Sequence, residues 1–420
     1  MNNILSFITD NILRNPPLLL ALIAALGLVL QKKKLQEVVK GSLLAAFGMV
    51  ILQTGTDMLA GSIAPINSAV QAIAGSGAAE GLNDATFTAS YGGSIGLAMF
   101  LGLIIHLLIA RFTPIKTIFL TGHMLWWFPF IFVAAGVEGG LAGWGLIIFG
   151  AVASALYWSV MPWLLRGYVR DVTQDDSFTL GHPAGTLALI SGFVAKRVGN
   201  KEKSTEDIKL PQSLSFFREI SITGGIVIFI MFIIVGIIVP SLAEEQNLLM
   251  YSITQGFTFG AGLVIMLQGV RMLINQIVPA FKGISEKLVP NSLPAFDCPI
   301  LFNYKPNAVL IGFIAAMIVS TILVIISNTF EVFGVMLVPL VITSFFECGT
   351  AAVIGEGQGG MKGAIVGTSV AAIVMVVLVG FSAVMLTSTI QNWILIFGGN
   401  DLSLFAMLAK FIANLLGGIF

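Results

Sequence analysis

Charged residues are scarce in this chain. Asp, Glu, Lys and Arg make up only 10% of its 420 residues, whereas soluble domains carry about a quarter. Hydrophobic residues account for 57%, and the mean hydropathy is +0.97. A soluble protein of this length needs a charged surface that this sequence cannot supply. We therefore predict an all-α polytopic membrane protein, in which the 46 glycines let helices pack closely.

Residues that mark several other protein classes are also few or absent. The net charge is zero, so nothing indicates a nucleic-acid partner. Three histidines and two cysteines lie far apart and form neither a metal-ligand pattern nor a disulfide framework. We find no Walker A motif, nucleophile elbow or zinc motif, so we expect no cofactor, no metal and no ATP-driven activity. The first apolar run has no usable cleavage site before or after it, so we expect no cleavable signal peptide.

Apolar runs of about 17–25 residues predict membrane spans. The ninth of these runs is short enough to be re-entrant or broken. The runs lie at 15–31, 41–60, 90–110, 118–136, 143–165, 219–240, 249–270, 307–328, 332–347, 363–387 and 403–420, which makes eleven.

The positions of Lys and Arg predict the orientation, because these residues concentrate in cytoplasmic loops. With the N-terminus outside the cell, all of the 21 basic residues except Arg14 and Lys410 lie inside. The predicted external loops 61–89, 137–142, 241–248 and 388–402 contain none. Omitting one span would destroy this separation, so the charge pattern also supports the number of spans.

The chain resembles itself at an offset of 213–214 residues. Five residues at and just beyond the end of the second span recur around the end of the seventh, and an Asp/Tyr pair follows in both copies. The first copy has Gly55, Met58, Leu59, Ile63, Pro65, Asp84 and Tyr91, and the second has Gly269, Met272, Leu273, Ile277, Pro279, Asp297 and Tyr304. Because the two copies leave the membrane on opposite sides, we predict a five-plus-five inverted repeat of the kind found in alternating-access transporters. Chance matching in apolar sequence is the alternative.

Four clusters of polar residues interrupt the apolar runs, and polar groups at membrane depth are functional candidates. They lie at 53–57, 120–123, 171–186 and 297–307. Interhelical hydrogen bonds, interfacial tryptophans or a plain loop turn are the alternative explanations. A weaker fifth group combines Glu347, Glu356 and Gln358 with the glycines at 355, 357, 359 and 360. His106, inside the third span near its cytoplasmic end, is expected to be a snorkelling or helix-bonded histidine.

Several longer motifs, in this order along the chain, carry a resemblance to a known family. They are LTGH at 120–123, KSTEDIKLP at 203–211, QGVRM at 268–272, AFKGIS at 280–285, DC at 297–298 and PNAV at 306–309. With these motifs the chain resembles the membrane IIC component of the bacterial phosphoenolpyruvate-dependent phosphotransferase system (PTS), ascorbate type. The likeness covers nearly the whole chain.

The resemblance implies a homodimer in the bacterial inner membrane. Each protomer would have a V-shaped motif domain and a core domain that moves like an elevator and carries the sugar. A separate IIB protein bearing a phosphocysteine would phosphorylate the sugar at the inner face. We expect a single IIC domain over 1–420, with repeat one near 15–165, an internal or re-entrant segment at 166–218, repeat two near 219–387 and an extra helix at 403–420.

The resemblance also implies the sugar-binding residues. Those at matching motif positions are Thr56, Thr86, Phe87, His123, His182 and Asp297. Phe87, Trp127 and Pro183 stand where the ascorbate transporters have a tyrosine and two glutamines. Because sites built on hydrogen bonds discriminate strongly, these three departures favour another sugar or sugar alcohol as much as ascorbate itself.

The sequence leads to three hypotheses about mechanism. His182 and Asp297 hydrogen-bond the sugar, and one of them acts as the base that removes a proton from the accepting hydroxyl. Lys196, Arg197, Lys201 and Lys203 help to dock IIB. The rival hypothesis is an ion-coupled secondary transporter of a sugar, polyol or organic anion, with Asp57 or Asp297 as its ion site.

Overall fold

The computed structural model describes residues 12, 15–74, 84–208, 219–243, 246–386, 389 and 398–417. Long helices dominate these residues, and three short strands interrupt them. The helices are α1 (Pro16–Leu30), α2 (Leu35–Ala74), α3 (Asp84–Phe112), α4 (Gly122–Glu138), α5 (Gly143–Thr173), α6 (Gly185–Val198), α7 (Ile220–Ile238), α8 (Leu248–Lys287), α9 (Pro299–Phe302), α10 (Pro306–Thr329), α11 (Val341–Met385) and α12 (Asp401–Gly417). The strands are β1 (Thr117–Phe119), β2 (Thr179–Leu180) and β3 (Leu293–Phe296).

Seven of the described helices are long and apolar enough to cross a membrane, and α1 is a shorter apolar helix. The longest of the seven, α11, is broken at Gly359 and Gly360, where the backbone leaves helical geometry. At Gly360 φ is +60°, a conformation that glycine adopts without strain. The structure confirms the prediction of a polytopic helical membrane protein.

The span predicted at 332–347 is displaced in the structure. Residues 330–340 form turns and irregular backbone, and the helix begins only at Val341. The side chain of Asn328 holds this segment, since it donates to the Leu337 carbonyl at 2.8 Å and accepts from the Leu337 amide at 2.9 Å. A left-handed Gly334 and the following Pro339 keep the apolar sequence from continuing as a helix.

Helices α2 and α8 pack against each other along their length through glycines. A Cβ atom on Gly55 would lie 2.2 Å from the Met266 amide nitrogen, and one on Gly269 would lie 2.2 Å from that of Leu52. Such close backbone contact between membrane helices requires residues without side chains. Pro65 and Pro279 lie inside these helices and do not end them.

The three strands form one parallel sheet in the order β1-β3-β2, which the all-α prediction lacked. Nearly all of their residues are buried. Non-helical backbone at membrane depth is stable only where other protein groups cover it and complete its hydrogen bonds. Here Leu120 donates to the Ala295 carbonyl at 2.9 Å and Gly181 to the Phe296 carbonyl at 2.7 Å.

Helix α5 supports both outer strands of this sheet. The Thr117 hydroxyl donates to the Ser159 carbonyl at 2.9 Å, and the Thr179 hydroxyl donates to the Pro162 carbonyl at 3.0 Å. His106 of α3 accepts from the Phe119 amide at 3.0 Å, and its other ring nitrogen bonds the Ser159 hydroxyl at 2.7 Å. His106 is therefore a structural residue, as the sequence indicated.

Candidate functional site

Three of the predicted site residues meet where the strands end. His123 lies just beyond β1, His182 just beyond β2, and Asp297 directly after β3. Parallel strands of one sheet end at the same edge, where α/β proteins commonly bind ligands. His182 Nε2 lies 3.5 Å from Asp297 Oδ1, and His123 Nε2 lies 3.7 Å from Oδ2. The structure thus unites the second, third and fourth polar clusters in one site.

The surroundings of His182 fix which of its ring nitrogens carries the proton. The Ala184 amide donates to Nδ1 at 3.2 Å, so Nδ1 presents a lone pair. A neutral imidazole has one donor and one acceptor nitrogen. Nε2 therefore carries the hydrogen and points it toward Asp297. In its neutral form His182 is a hydrogen-bond donor to the site, whereas Asp297 is an acceptor.

The Asp297 carboxylate is held by its own turn and remains partly accessible. The Cys298 amide donates to Oδ1 at 2.8 Å, and the side chain is 18% exposed. On one side Asp297 borders a narrow cleft against the long helices, which also reaches Leu52, Thr121 and Leu273. His123 is the more open partner, with 39% of its side chain exposed. A hydroxylated ligand between these groups could receive one hydrogen bond and donate another.

One side-chain cluster has the composition of a metal site, namely His182, Asp297 and Cys298, whose ligand atoms lie within 4.8 Å of one another. A metal bound to Nε2 would require a lone pair there, and metal-bound histidines donate their other N–H to an acceptor. At His182 the group facing the other nitrogen is the Ala184 N–H, which is a donor. This donor set fits hydrogen bonding to a ligand and does not fit metal coordination.

Phe87 and Trp127 belong to one aromatic cluster near the site. The Phe87 ring is fully buried, stacks on Tyr91 at 4.7 Å and meets Phe130 edge-on at 5.1 Å. Trp127, one turn beyond His123 on α4, packs edge-on against Phe130 at 5.1 Å. Phe87, which stands where the ascorbate transporters have a tyrosine, therefore contributes apolar packing in this chain.

The remaining predicted residues lie on other elements. The Thr56 hydroxyl donates to the Leu52 carbonyl within α2 at 3.0 Å. Thr86 is exposed near the start of α3. Pro183 is buried, and its carbonyl accepts from the Asp401 amide at 2.9 Å. Gly122, in the second polar cluster, leaves room for Pro16, which a Cβ there would approach to 3.0 Å.

The weaker fifth group is split between structural contacts. Glu356 is almost fully buried, pairs with Lys305 at 3.4 Å and accepts from Ser204 and Thr205 of the loop after α6. This loop also bonds the helix break, since Asn200 donates to the Gly359 carbonyl. Gln358 donates to Asp171 at 2.9 Å, and Glu347 accepts from Asn400 at 2.9 Å. Glu356, Gln358 and Gly359 therefore fasten the internal segment to α11, whereas Glu347 bonds the residue that precedes α12.

Sequence reasoning missed two residues behind the site, Tyr157 and Asp401. The Tyr157 hydroxyl lies 2.5 Å from Asp401 Oδ2 and 3.1 Å from the His182 carbonyl. Tyr157 stands inside an otherwise ordinary apolar span. Asp401 follows two glycines and Asn400 in what was predicted to be an external loop. A lone carboxylate at the start of an apolar run was the available signal.

The chain is similar to known proteins over almost its full length. Residues 11–401 match a family described as "PTS system sugar-specific permease component". The chain is also 25% identical over 466 aligned residues to the "Ascorbate-specific PTS system EIIC component" of Mycoplasma pneumoniae, with 96% of this chain and 70% of that protein covered.

Proposed function

We propose a function for this chain, which belongs to the family of PTS sugar-specific permease components. It binds an ascorbate-like sugar at the ends of β1, β2 and β3 and releases it inside the cell as a phosphate ester. The observation that carries this proposal is the convergence of His123, His182 and Asp297. Family membership supports a separate IIB partner. The relative from Mycoplasma pneumoniae supports ascorbate as the first sugar to test.

The chemistry that we propose assigns different roles to the two closest residues. His182 donates its Nε2 hydrogen to a sugar oxygen, because Nδ1 is occupied by the Ala184 amide. Asp297 accepts the proton of the attacking hydroxyl. The hydroxyl oxygen forms a bond to the phosphorus of phosphocysteine on IIB, the phosphorus–sulfur bond breaks, and the thiolate leaves with its electron pair. In this chain Cys298 is buried and takes no part in phosphoryl transfer.

The apolar character of Phe87 bears on which sugar is bound. A buried phenyl ring supplies no hydroxyl to the ligand. The indole of Trp127 can donate through its N–H but lacks the accepting oxygen of an amide. We propose an ascorbate-like sugar or sugar alcohol that needs few side-chain hydrogen bonds beyond those from the histidines and Asp297. A binding screen over ascorbate, pentitols, hexitols and hexoses identifies it.

We further propose the five-plus-five inverted repeat with elevator-like movement of a core against a V-shaped scaffold in a homodimer. The two long helices support the repeat, because α2 and α8 both have 40 residues and begin 213 residues apart. Each contains a proline at the matching position. The reciprocal contacts of Gly55 and Gly269 support a two-fold relation between them. The repeat limits proposed for the domain are 15–165 and 219–387.

We propose a bacterial inner-membrane location with the N-terminus outside. Lys410 was one of the two basic residues that did not fit this orientation. Its ammonium pairs with Glu138 at 2.9 Å and bonds the Met385 carbonyl. A paired cation can lie at membrane depth, so Lys410 does not oppose the orientation. Arg14, the other exception, lies outside the described residues.

The basic internal segment supports a docking site for IIB. Lys196 and Lys203 are exposed, whereas Arg197 lies over the Phe193 ring at 3.3 Å and Lys201 pairs with Asp171 at 3.7 Å. We predict that the Lys196→Glu/Lys203→Glu double variant lowers the rate of sugar phosphorylation by IIB at least about tenfold at low salt. Charged residues at the rim of an interface mainly set the association rate. Salt screens such charges, so the loss should be smaller at high salt. Sugar affinity should stay unchanged.

The rate of sugar phosphorylation as a function of IIB concentration measures this effect. Lys282→Glu is the matched control, because Lys282 is exposed on the same predicted side and its ion-pair partner among the described residues is Glu286 of its own helix. Equal rates for the double variant and the control would contradict the docking site.

The proposed function is tested in sealed vesicles that contain the protein. The vesicles are loaded with phosphoenolpyruvate, the general phosphotransfer proteins and IIB, and labelled sugar is added outside. The proposal predicts phosphorylated sugar inside, and no uptake when IIB is omitted. Free sugar accumulating under a proton or sodium gradient would instead establish an ion-coupled transporter.

A further inference from the structure

The start of helix α12 contacts the turn that carries His182. The Asp401 amide donates to the Pro183 carbonyl at 2.9 Å, and Asp401 Oδ1 accepts from the Thr186 amide at 2.9 Å. Asp401 Oδ2 lies 2.5 Å from the Tyr157 hydroxyl. The Asp401 side chain is fully buried. These contacts hold the turn through the backbone groups of Pro183 and Thr186.

A count of hydrogens defines the state of this carboxyl group. The Tyr157 oxygen is within hydrogen-bond distance of both Asp401 Oδ2 and the His182 carbonyl, at 2.5 and 3.1 Å. The His182 carbonyl oxygen can only accept, Asp401 Oδ2 can donate only if the carboxyl carries a proton, and Tyr157 has one hydrogen to give. A protonated Asp401 satisfies both contacts, because it donates to Tyr157, which donates to the His182 carbonyl.

The electrostatics of the pocket agree with this count. Among the described residues, no Lys, Arg or His side chain lies within 4.0 Å of the Asp401 carboxyl. An unpaired carboxylate in such a buried place is costly, whereas a neutral carboxyl with its hydrogen bonds complete is not.

We infer that Asp401, as a neutral carboxylic acid, and Tyr157 are positioning residues that hold the His182–Pro183 turn so that His182 Nε2 faces Asp297. The inference rests on the sugar site proposed above. It gives α12, which lies outside the two proposed repeats, a role in that site. Asp401 and Tyr157 touch neither the sugar nor the phosphoryl group in this scheme.

Two substitutions at one position test the inference. In Asp401→Asn the amide NH₂ replaces the carboxyl O–H as donor to Tyr157, and its oxygen still accepts from Thr186. We expect sugar affinity within about threefold of wild type. Asp401→Ala removes both contacts and should weaken sugar binding about tenfold or more, as loss of a buried hydrogen bond does. If Asp401→Asn lost as much sugar affinity as Asp401→Ala, the inference that Asp401 is a neutral carboxylic acid would be overturned.

A double-mutant comparison separates positioning from general stability. If Asp401 acts through His182, then Asp401→Ala should cost little further affinity in a His182→Ala background. The same tenfold loss in both backgrounds would overturn the positioning role. Melting temperatures of all variants show which of them remain folded, and Asp401→Asn remains informative if Asp401→Ala unfolds.

A sugar-independent measurement distinguishes this inference from the proposed function. The chain has only three histidines, so ¹⁵N-histidine labelling gives signals from few sites. We expect the His182 ring signals to move in Tyr157→Phe and Asp401→Ala and to stay in place in Asp401→Asn, whether or not a sugar binds. Unmoved signals in every variant would overturn the inference even if transport is confirmed.

Discussion

Replacing Asp297 by asparagine should lower the rate of sugar phosphorylation by about 10²–10⁴-fold, the usual contribution of a general base. Asparagine keeps the size of the side chain and an oxygen that can accept from the Cys298 amide. It cannot take the proton of the attacking hydroxyl. Sugar binding should therefore change much less than the rate.

Single-turnover phosphorylation by phosphorylated IIB, at saturating sugar, measures this rate directly. Glu37→Gln serves as the control, since Glu37 is an exposed acid in the first turn of α2 that pairs with Lys33, just before that helix. An Asp297→Asn variant that phosphorylates sugar at the wild-type rate would contradict the role of Asp297.

The same assay separates His182 from Asp297. His182→Gln retains a donor but not the ring geometry, so we expect weaker sugar binding and a nearly normal rate once the sugar is bound. This split follows from the tautomer that the Ala184 amide imposes. A large loss of rate at saturating sugar would instead identify His182 as the base.

The second large effect concerns the packing of α2 against α8. Gly269→Ala places a methyl group about where the Leu52 backbone lies, since an ideal Cβ would be 2.2 Å from its amide nitrogen. Backbone cannot rotate away as a side chain can, so the helices must separate. Overpacking of this kind costs about 1–3 kcal/mol or more. Gly55→Ala should have a similar effect, because its Cβ would meet Met266 in the same way.

Thermal melting of the purified protein in detergent measures this loss. Gly61→Ala is the matched control on α2, because a Cβ there would meet nothing within 4 Å. Alanine in an open helical position should leave the melting temperature unchanged or raise it slightly. Indistinguishable melting of Gly269→Ala and Gly61→Ala would show that the helices do not pack as described.

The helices were largely predictable, because apolar runs and basic loops carry strong signals in a membrane protein. Two helix lengths were not. The spans predicted at 41–60 and 249–270 are parts of 40-residue helices, because Pro65 and Pro279 do not end them. The helix predicted at 332–347 begins later, because Asn328 bonds the preceding segment in a non-helical form.

The sheet could not be predicted from periodicity. Its strands contain two to four residues, which is shorter than the window in which alternation is detectable. Gly122 and Gly181 lie in two of the polar clusters, and both allow close packing, against Pro16 and Ala295 respectively. His123, His182 and Asp297 were found as separate polar interruptions, and only the parallel pairing of β1, β2 and β3 brings them together.

Asp401 and Tyr157 were missed for a different reason. Their contacts join residues 244 positions apart in the chain. A tyrosine in an apolar span and an aspartate at a helix start are both ordinary features in isolation. The role proposed for them depends on the turn between β2 and α6, which becomes visible only once the fold is known.

A structure of the protein with its sugar bound is the most direct test of the proposed sugar site. We predict a sugar hydroxyl within about 2.6–3.2 Å of an Asp297 carboxylate oxygen, the reach of a general base, with His182 Nε2 donating to a neighbouring sugar oxygen. A sugar bound away from the ends of β1, β2 and β3, without contact to Asp297 or His182, would contradict it.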